Sequence, residues 1–149
     1  MNDVMLLVED NVDDQELTLR ALKKHNVTVD VVTVNDGVEA LDYLFGTGKY
    51  ENQPNRPAVR VVLLDLKLPR LGGIDVLRRL RADPRTKWLP VVIFTSSRED
   101  RDIIDGYRFG ATSYVRKPVL YTEFLEAVKE LGLYWLMRNE RAPHAKNGD

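Results

Sequence analysis

The chain has 149 residues, no cysteine, a formal net charge of −1 and a charged fraction of 30%. This composition predicts one globular domain and provides no global field that would attract nucleic acid or an anionic membrane. It also excludes disulfide and thiolate chemistry. The acidic start, Met1-Asn2-Asp3, does not resemble a signal peptide, and the apolar runs are far shorter than a membrane span. We therefore expect a cytoplasmic protein.

Short apolar runs alternate with segments of helical spacing along the chain. The runs predict strands at residues 4–8, 29–34, 61–64, 91–94 and 113–115. Helices are predicted at residues 13–25, 38–45, 74–81 and 97–109, with a last helix from about Tyr121. Asp13 and Asp14 suit the start of the first helix, where acids complement the helix dipole. Ser97 and Asp100 resemble the N-cap pair of the fourth helix. This alternation predicts an α/β fold in which helices cover both faces of a parallel sheet.

The last helix carries an excess of apolar residues near its end. Leu133 to Met137 are all apolar, although a helix that covers a sheet needs only one apolar stripe. The surplus must contact a folded-back tail, a partner or a second subunit, and we favour a homodimer. The candidate interface residues are Leu133, Tyr134, Trp135 and Leu136. We expect one domain at residues 1–138, a disordered tail at 139–149 and no output domain.

Polar side chains follow four of the predicted strands. Parallel strands deliver these groups to one edge of the sheet, where ligand crevices form. The carboxylates would repel one another unless a cation lies among them, and oxygen ligands suit Mg²⁺. A lysine and a hydroxyl complete a site for a phosphoryl group, with a carboxylate as the covalent acceptor. The residues are Glu9 and Asp10, Asp65, Thr95 and Ser96, and Lys117.

From about Val4 to Leu131 the chain resembles the receiver domain of two-component response regulators. The matching positions are Glu9-Asp10, Asp65 with Pro69 and Gly73, Thr95-Ser96, Tyr114, and Lys117-Pro118. The resemblance implies a flavodoxin-like, doubly wound sheet of five parallel strands in the order 2-1-3-4-5, with five helices. It also implies phosphorelay signal transduction, in which the domain is a phosphoacceptor and turns over no separate substrate.

The resemblance assigns a role to each of these residues. Asp65 would accept a phosphoryl group from a histidine kinase, and Mg²⁺ or Mn²⁺ would be held by Asp10, Asp65 and the main-chain carbonyl of Lys67, with Glu9 acting through water. Thr95, Ser96 and Lys117 would bind the phosphoryl group, and Tyr114 would report the position of Thr95 to a face formed by the fourth helix, fifth strand and fifth helix. Lys67 and Ser97 would tune hydrolysis, and neither side chain holds water well, so we expect slow loss of phosphate. Pro69, Gly73 and Pro118 would shape the backbone, with a cis bond between Lys117 and Pro118.

A narrower resemblance concerns the partner. Four segments are similar to the receivers that serve phytochrome-type histidine kinases. Such a kinase is therefore the expected partner, and we expect no direct contact with nucleic acid or membrane. The segments are Tyr43 to Tyr50, the long Pro-containing loop, Thr95 to Arg101, and Leu131 to Trp135.

Two other functions compete with this interpretation. A phosphatase of the haloacid-dehalogenase class would carry a second acid two residues after its nucleophile on the first strand, whereas Lys67 occupies that position here and follows the third strand. A receiver-like binding module that works without phosphorylation would not need the complete acidic set. Both remain alternatives to the phosphoacceptor.

Overall fold

The computed structural model describes residues 3–25, 30–140 and 142. Five parallel strands form one sheet in the order β2-β1-β3-β4-β5, which confirms the predicted fold. The strands are β1 (Val4–Val8), β2 (Asp30–Val34), β3 (Val59–Leu64), β4 (Val91–Thr95) and β5 (Ser113–Arg116). The helices are α1 (Val12–Lys24), α2 (Gly37–Phe45), α3 (Gly73–Ala82), α4 (Asp100–Arg108) and α5 (Tyr121–Gly132). No helix within the described ranges is long and apolar enough to cross a membrane.

Alternate residues of the inner strands pack into two separate cores. Leu6 and Val8 of β1 lie in a core with residues of α2 and α3, whereas Met5 and Leu7 lie in a core with residues of α1 and α5. Successive side chains of a strand point to opposite faces, so a strand that is apolar throughout must be covered on both sides. This arrangement buries the strands and leaves the polar residues that follow them at one edge.

The segment between β3 and α3 fits tightly against its surroundings. A Cβ atom on Gly73 would lie 2.3 Å from the carbonyl oxygen of Asp65, and one on Gly37 would lie 2.1 Å from the carbonyl oxygen of Leu71. Neither position can hold a side chain unless the backbone moves. Gly73 thus allows α3 to begin directly against the end of β3.

An ion pair between Arg70 and Asp36 connects the segment between β3 and α3 to the start of α2. Arg70 has a φ of 64°, the one positive φ outside glycine among the described residues. Its guanidinium donates two hydrogen bonds to Asp36, at 2.9 and 3.1 Å, and Asp36 also accepts from the backbone N–H of Glu39 at the start of α2. A left-handed arginine is unfavourable by about 1–3 kcal/mol, so it requires such an external contact.

The C-terminal end differs from the predicted regular helix. α5 continues as a π-helical segment, Leu133–Arg138, and the backbone N–H of Asn139 donates to the carbonyl of Tyr134 at 2.7 Å. The wider turns of a π-helix change which side chains face the sheet. Leu136 is 3% exposed in the core, so its assignment as a dimer contact was wrong, whereas Tyr134 and Met137 are more than half exposed.

Most of the expected tail falls outside the described residues. The structure describes residues 139, 140 and 142 of it, and the carbonyl of Asn139 accepts a hydrogen bond from Arg60 of β3 at 3.2 Å. Asn139 is therefore attached to the domain.

Two local predictions were wrong. The described residues contain no cis peptide bond, so the bond between Lys117 and Pro118 is trans, the form that X–Pro bonds favour by about 0.5–1 kcal/mol. Ser97 does not cap α4, because the helix begins later, with Glu99 at the N-cap position and no side-chain cap bond. The Ser97 hydroxyl instead donates to Asp102.

We predict that Asp36→Asn destabilises the protein by about 0.5–1 kcal/mol at neutral pH, because asparagine keeps the cap but loses the charge that pairs with Arg70. Burial acts to raise the pKa of Asp36, but the Arg70 contact and backbone N–H groups outweigh it and lower that pKa. A lowered folded-state pKa contributes stability that is complete above the ordinary pKa and is lost as pH falls through the folded one. Urea titrations at a series of pH values should show the difference between variant and wild type shrinking below about pH 4.

The exposed pair between Asp83 and Arg85 offers a control, since Asp83→Asn removes one acid without touching the segment after β3. Equal stability of wild type and Asp36→Asn at pH 7, or a difference that grows in acid, would contradict this account of Arg70.

Candidate functional site

The carboxyl ends of β1, β3, β4 and β5 bring their polar residues to one edge of the sheet. The register is fixed by backbone hydrogen bonds: the N–H of Asp65 donates to Val8 at 3.0 Å, and the N–H of Lys117 donates to Thr95 at 2.8 Å. Glu9, Asp65 and Thr95 are buried, while Asp10 and Ser96 are exposed. The predicted residues are therefore neighbours in space.

The ammonium of Lys117 lies at the centre of this edge. Its side chain is 7% exposed, and it donates to Glu9, to Asp14 at 2.7 Å and to Asp65 at 3.2 Å. An ammonium has three N–H donors, so these three carboxylates take all of them. A buried lysine requires such partners, because an uncompensated charge in the interior is strongly unfavourable.

Burial and charge compete in setting the protonation of this cluster. Burial raises the pKa of Glu9 to about 7, although the Lys117 contact acts in the opposite direction. Burial alone would lower the pKa of Lys117, but the hydrogen bonds to Asp14 and Glu9 outweigh it and raise that pKa. The lysine is therefore a permanent cation beside the Asp65 carboxylate.

Asp14 is a site residue that the sequence analysis missed. We interpreted it, with Asp13, only as an acid that favours the start of a helix. The signal that could have found it is spacing: Asp14 is four and seven residues before Thr18 and Ala21, two of the three buried positions of α1. Asp14 thus begins the inward stripe of the helix, next to the strand ends.

The acidic residues fit a divalent cation. Carboxylate oxygens of Glu9, Asp10 and Asp65 lie within 4.8 Å of one another. All of these donors are oxygen atoms, and Asp10 is exposed to solvent. Such a set suits Mg²⁺ or Mn²⁺, which retain water as well as protein ligands. The Lys67 side chain is exposed, as is Pro69, in the segment that follows Asp65.

The hydroxyl residues and Tyr114 link this edge to α4. Thr95 is 1% exposed, and its hydroxyl oxygen accepts a long hydrogen bond, 3.4 Å, from the N–H of Ser97. The Tyr114 hydroxyl donates to the carbonyl of Ser97 at 3.2 Å, and its half-buried ring packs beside Gly106. Burial raises the pKa of Tyr114, so the phenol keeps the proton that it donates. A change at Thr95 can therefore reach Tyr114 through the backbone of a single residue, Ser97.

The chain is similar in sequence and in structure to several response regulators. Rcp1 from Synechocystis sp., a response regulator, is 34% identical over 133 residues, which cover 89% of this chain and 88% of Rcp1. A Mn²⁺-bound form of Rcp1 superposes with a TM-score of 0.86, covering 94% of this chain and 99% of that one, at 31% identity. The phosphorylated cyanobacterial phytochrome response regulator RcpA has a TM-score of 0.87 at 34% identity, covering 95% and 99% of the two chains. The bacteriophytochrome response regulator AtBRR is 45% identical, with a TM-score of 0.73, covering 94% and 99%.

Residues 5–129 match the response regulator receiver domain, and this match identifies the family. That range includes the acidic cluster, Thr95, Tyr114 and Lys117, so the match and the geometry concern the same part of the molecule. The chain belongs to the response regulator receiver domain family.

Proposed function

We propose that the chain accepts a phosphoryl group on Asp65 from a phosphohistidine of a histidine kinase. The observation that carries the proposal is the buried Asp65 carboxylate facing the Lys117 ammonium at 3.2 Å, beside two further carboxylates. An Asp65 oxygen forms the new bond to phosphorus as the bond from phosphorus to the kinase imidazole breaks, and the imidazole nitrogen leaves with the electron pair. Lys117 then faces the new negative charge on the phosphoryl oxygens.

Mg²⁺ or Mn²⁺ would be held by Asp10, Asp65 and the main-chain carbonyl of Lys67, and Glu9 would contact the ion through water. A bound cation supplies charge neutralisation for the transferring group. The residues of the chain do the rest: Asp65 provides the nucleophile, Lys117 and Thr95 orient the phosphoryl oxygens, and the buried strand ends exclude bulk water.

The kinase partner would be of the phytochrome type. Similarity to RcpA and AtBRR supports this class, since both are named as phytochrome response regulators. An apolar surface suited to a protein donor also borders the site: Val119 and Leu120, directly after Lys117 and Pro118, are 85% and 60% exposed, and Val12 is 60% exposed. Exposed apolar residues around a charged site favour a protein over a small phosphate ester as the donor.

Phosphorylation would act as a switch through Thr95 and Tyr114. A charge-assisted hydrogen bond contributes about 1.5–3 kcal/mol, and reversing a two-state equilibrium requires about 5.5 kcal/mol of differential binding. Two such bonds, from Lys117 and Thr95, come close to that value. The face formed by α4, β5 and α5 would then change with the Tyr114 ring.

The test is transfer of label from a phosphorylated phytochrome-type histidine kinase. We expect wild-type protein to become labelled in Mg²⁺ and Asp65→Asn to remain unlabelled, because asparagine keeps the shape but lacks the nucleophile. Asp75→Asn, an exposed acid on α3, serves as the matched control and should label like wild type. Equal labelling of Asp65→Asn and wild type would overturn the proposal.

We predict that phosphate is lost slowly. Ser97 is 6% exposed and its hydroxyl is bonded to Asp102, while Lys67 offers no carboxylate or amide to orient water. Lys67→Asn combined with Ser97→Glu should therefore shorten the phosphoryl lifetime by at least about tenfold, since a well-positioned acid–base group contributes about 10²–10⁴-fold. The measurement is decay of acid-labile phosphate after removal of a small phosphodonor, and unchanged decay would contradict the roles of both residues.

We also propose that two copies associate through the end of α5 and the π-helical segment. Tyr134 and Met137 are 53% and 54% exposed, and Leu133 and Trp135 are partly buried against the core. Burying a large apolar side chain contributes about 1.5–3 kcal/mol, and a two-fold contact would bury each residue twice. Leu136 supports the surface from inside rather than touching the partner.

Tyr134→Ala with Met137→Ala should weaken the dimer by at least about tenfold, which corresponds to 1.4 kcal/mol. Sedimentation equilibrium measures the change, and Leu19→Ala, a 40% exposed residue of α1, is the control. A wild-type protein that stays monomeric at high micromolar concentration, with and without phosphodonor, would end the proposal.

A further inference from the structure

The position of Asp14 suggests a role beyond the receiver residues assigned above. Its carboxylate accepts from Lys117 at 2.7 Å, whereas Asp65 accepts from the same ammonium at 3.2 Å. The acceptor of the phosphoryl group is thus the more distant of these two acids. The Lys117 ammonium therefore lies nearer to Asp14 of α1 than to Asp65.

Asp14 is itself held rigidly. Its backbone N–H donates to the side chain of Asn11 at 3.0 Å, and its carbonyl accepts from the Thr18 hydroxyl at 2.7 Å. These bonds fix the first turn of α1, so the carboxylate is anchored on a helix rather than on a mobile loop. Its side chain is 25% exposed, compared with 7% for Lys117, so it lies at the solvent side of the cluster.

A phosphoryl group on Asp65 must compete for Lys117. The three N–H donors of the ammonium are taken by Glu9, Asp14 and Asp65, and a phosphoryl oxygen would take over the donor that Asp65 holds. The ammonium lies nearer to Asp14 than to Asp65, so a closer contact with the phosphoryl group requires it to move away from Asp14. We propose that Asp14 is a positioning residue that restrains Lys117 in the unphosphorylated state and thereby weakens the binding of a phosphoryl group. This inference rests on the proposed function of Asp65.

The restraint would act on the balance between the two states of the domain. A ligand shifts an equilibrium only by its differential affinity, and every interaction that Lys117 must give up reduces that difference. Asp14 therefore sets how much of the phosphoryl binding energy remains available for the switch. Removing its charge should favour the phosphorylated form.

Asp14→Asn tests this directly, because asparagine keeps an acceptor oxygen but loses the charge. A neutral acceptor bonds an ammonium less strongly by about 1 kcal/mol, so we expect a beryllofluoride half-saturation about fivefold lower in the variant at fixed saturating Mg²⁺. Beryllofluoride is the probe because it imitates a phosphoryl group on a carboxylate. In metal-free protein, the NMR signal of the Lys117 side chain should also shift in Asp14→Asn.

Asp13→Asn is the matched control. It removes the same charge from the same helical turn, and Asp13 is exposed and is not among the ion-pair partners of Lys117. Asp14→Glu keeps the charge on a longer side chain and should bind beryllofluoride closer to wild type than Asp14→Asn does. Thermal unfolding of each variant checks that the fold is intact.

The outcomes separate the inference from the proposed function. Wild type that fails to bind beryllofluoride would overturn both. Wild type that binds, with Asp14→Asn equal to Asp13→Asn or weaker than wild type, would overturn only the role of Asp14. Tighter binding by Asp14→Asn alone, with the Lys117 shift, supports it.

Discussion

The buried ammonium of Lys117 is the interaction on which the functional edge of the sheet depends. Glu9 and Asp65 are largely removed from water, and Asp14 lies beside them. Without a cation among them, these acids would repel one another and take up protons. Lys117 keeps acidic groups together at low exposure, where electrostatic interactions are stronger than in water. If this site receives a doubly charged group, as we propose, it must tolerate this crowding of charge before the group arrives.

The parallel sheet explains how residues so distant in sequence meet. Lys117 and Glu9 are separated by 108 positions, yet both directly follow strands that end at the same edge. The two apolar cores hold those strands in register, and the glycine contacts after β3 hold the segment that follows Asp65. Packing therefore determines the geometry of the polar site, and the polar site adds no strand or helix of its own.

Strong local patterns account for what the sequence predicted well. Continuous apolar runs predicted β1, β3 and β4, and shorter or interrupted runs predicted β2 and β5. Polar residues at the strand ends predicted that Asp65, Thr95 and Lys117 are neighbours. The features that the sequence analysis missed or predicted wrongly depend on tertiary contacts. Asp14 looked like a helix-start acid because its partner Lys117 follows a strand that is distant in sequence, and Ser97 looked like a cap because its bond to Asp102 has no sequence signature. The π-helical segment was missed because its shift of register, which buries Leu136, arises from packing.

The tight contact between Gly37 and Leu71 couples α2 to the segment that follows Asp65. With no room for even a methyl group, α2 and the segment after Asp65 must move together, and the ion pair between Asp36 and Arg70 reinforces that union. On the opposite side, α4 begins without a side-chain cap and buries only Gly106 of its own residues. Elements with few buried contacts open at the lowest cost in free energy. Asp65 lies between these two regions, so we expect a displacement at Asp65 to move α4 more easily than α2.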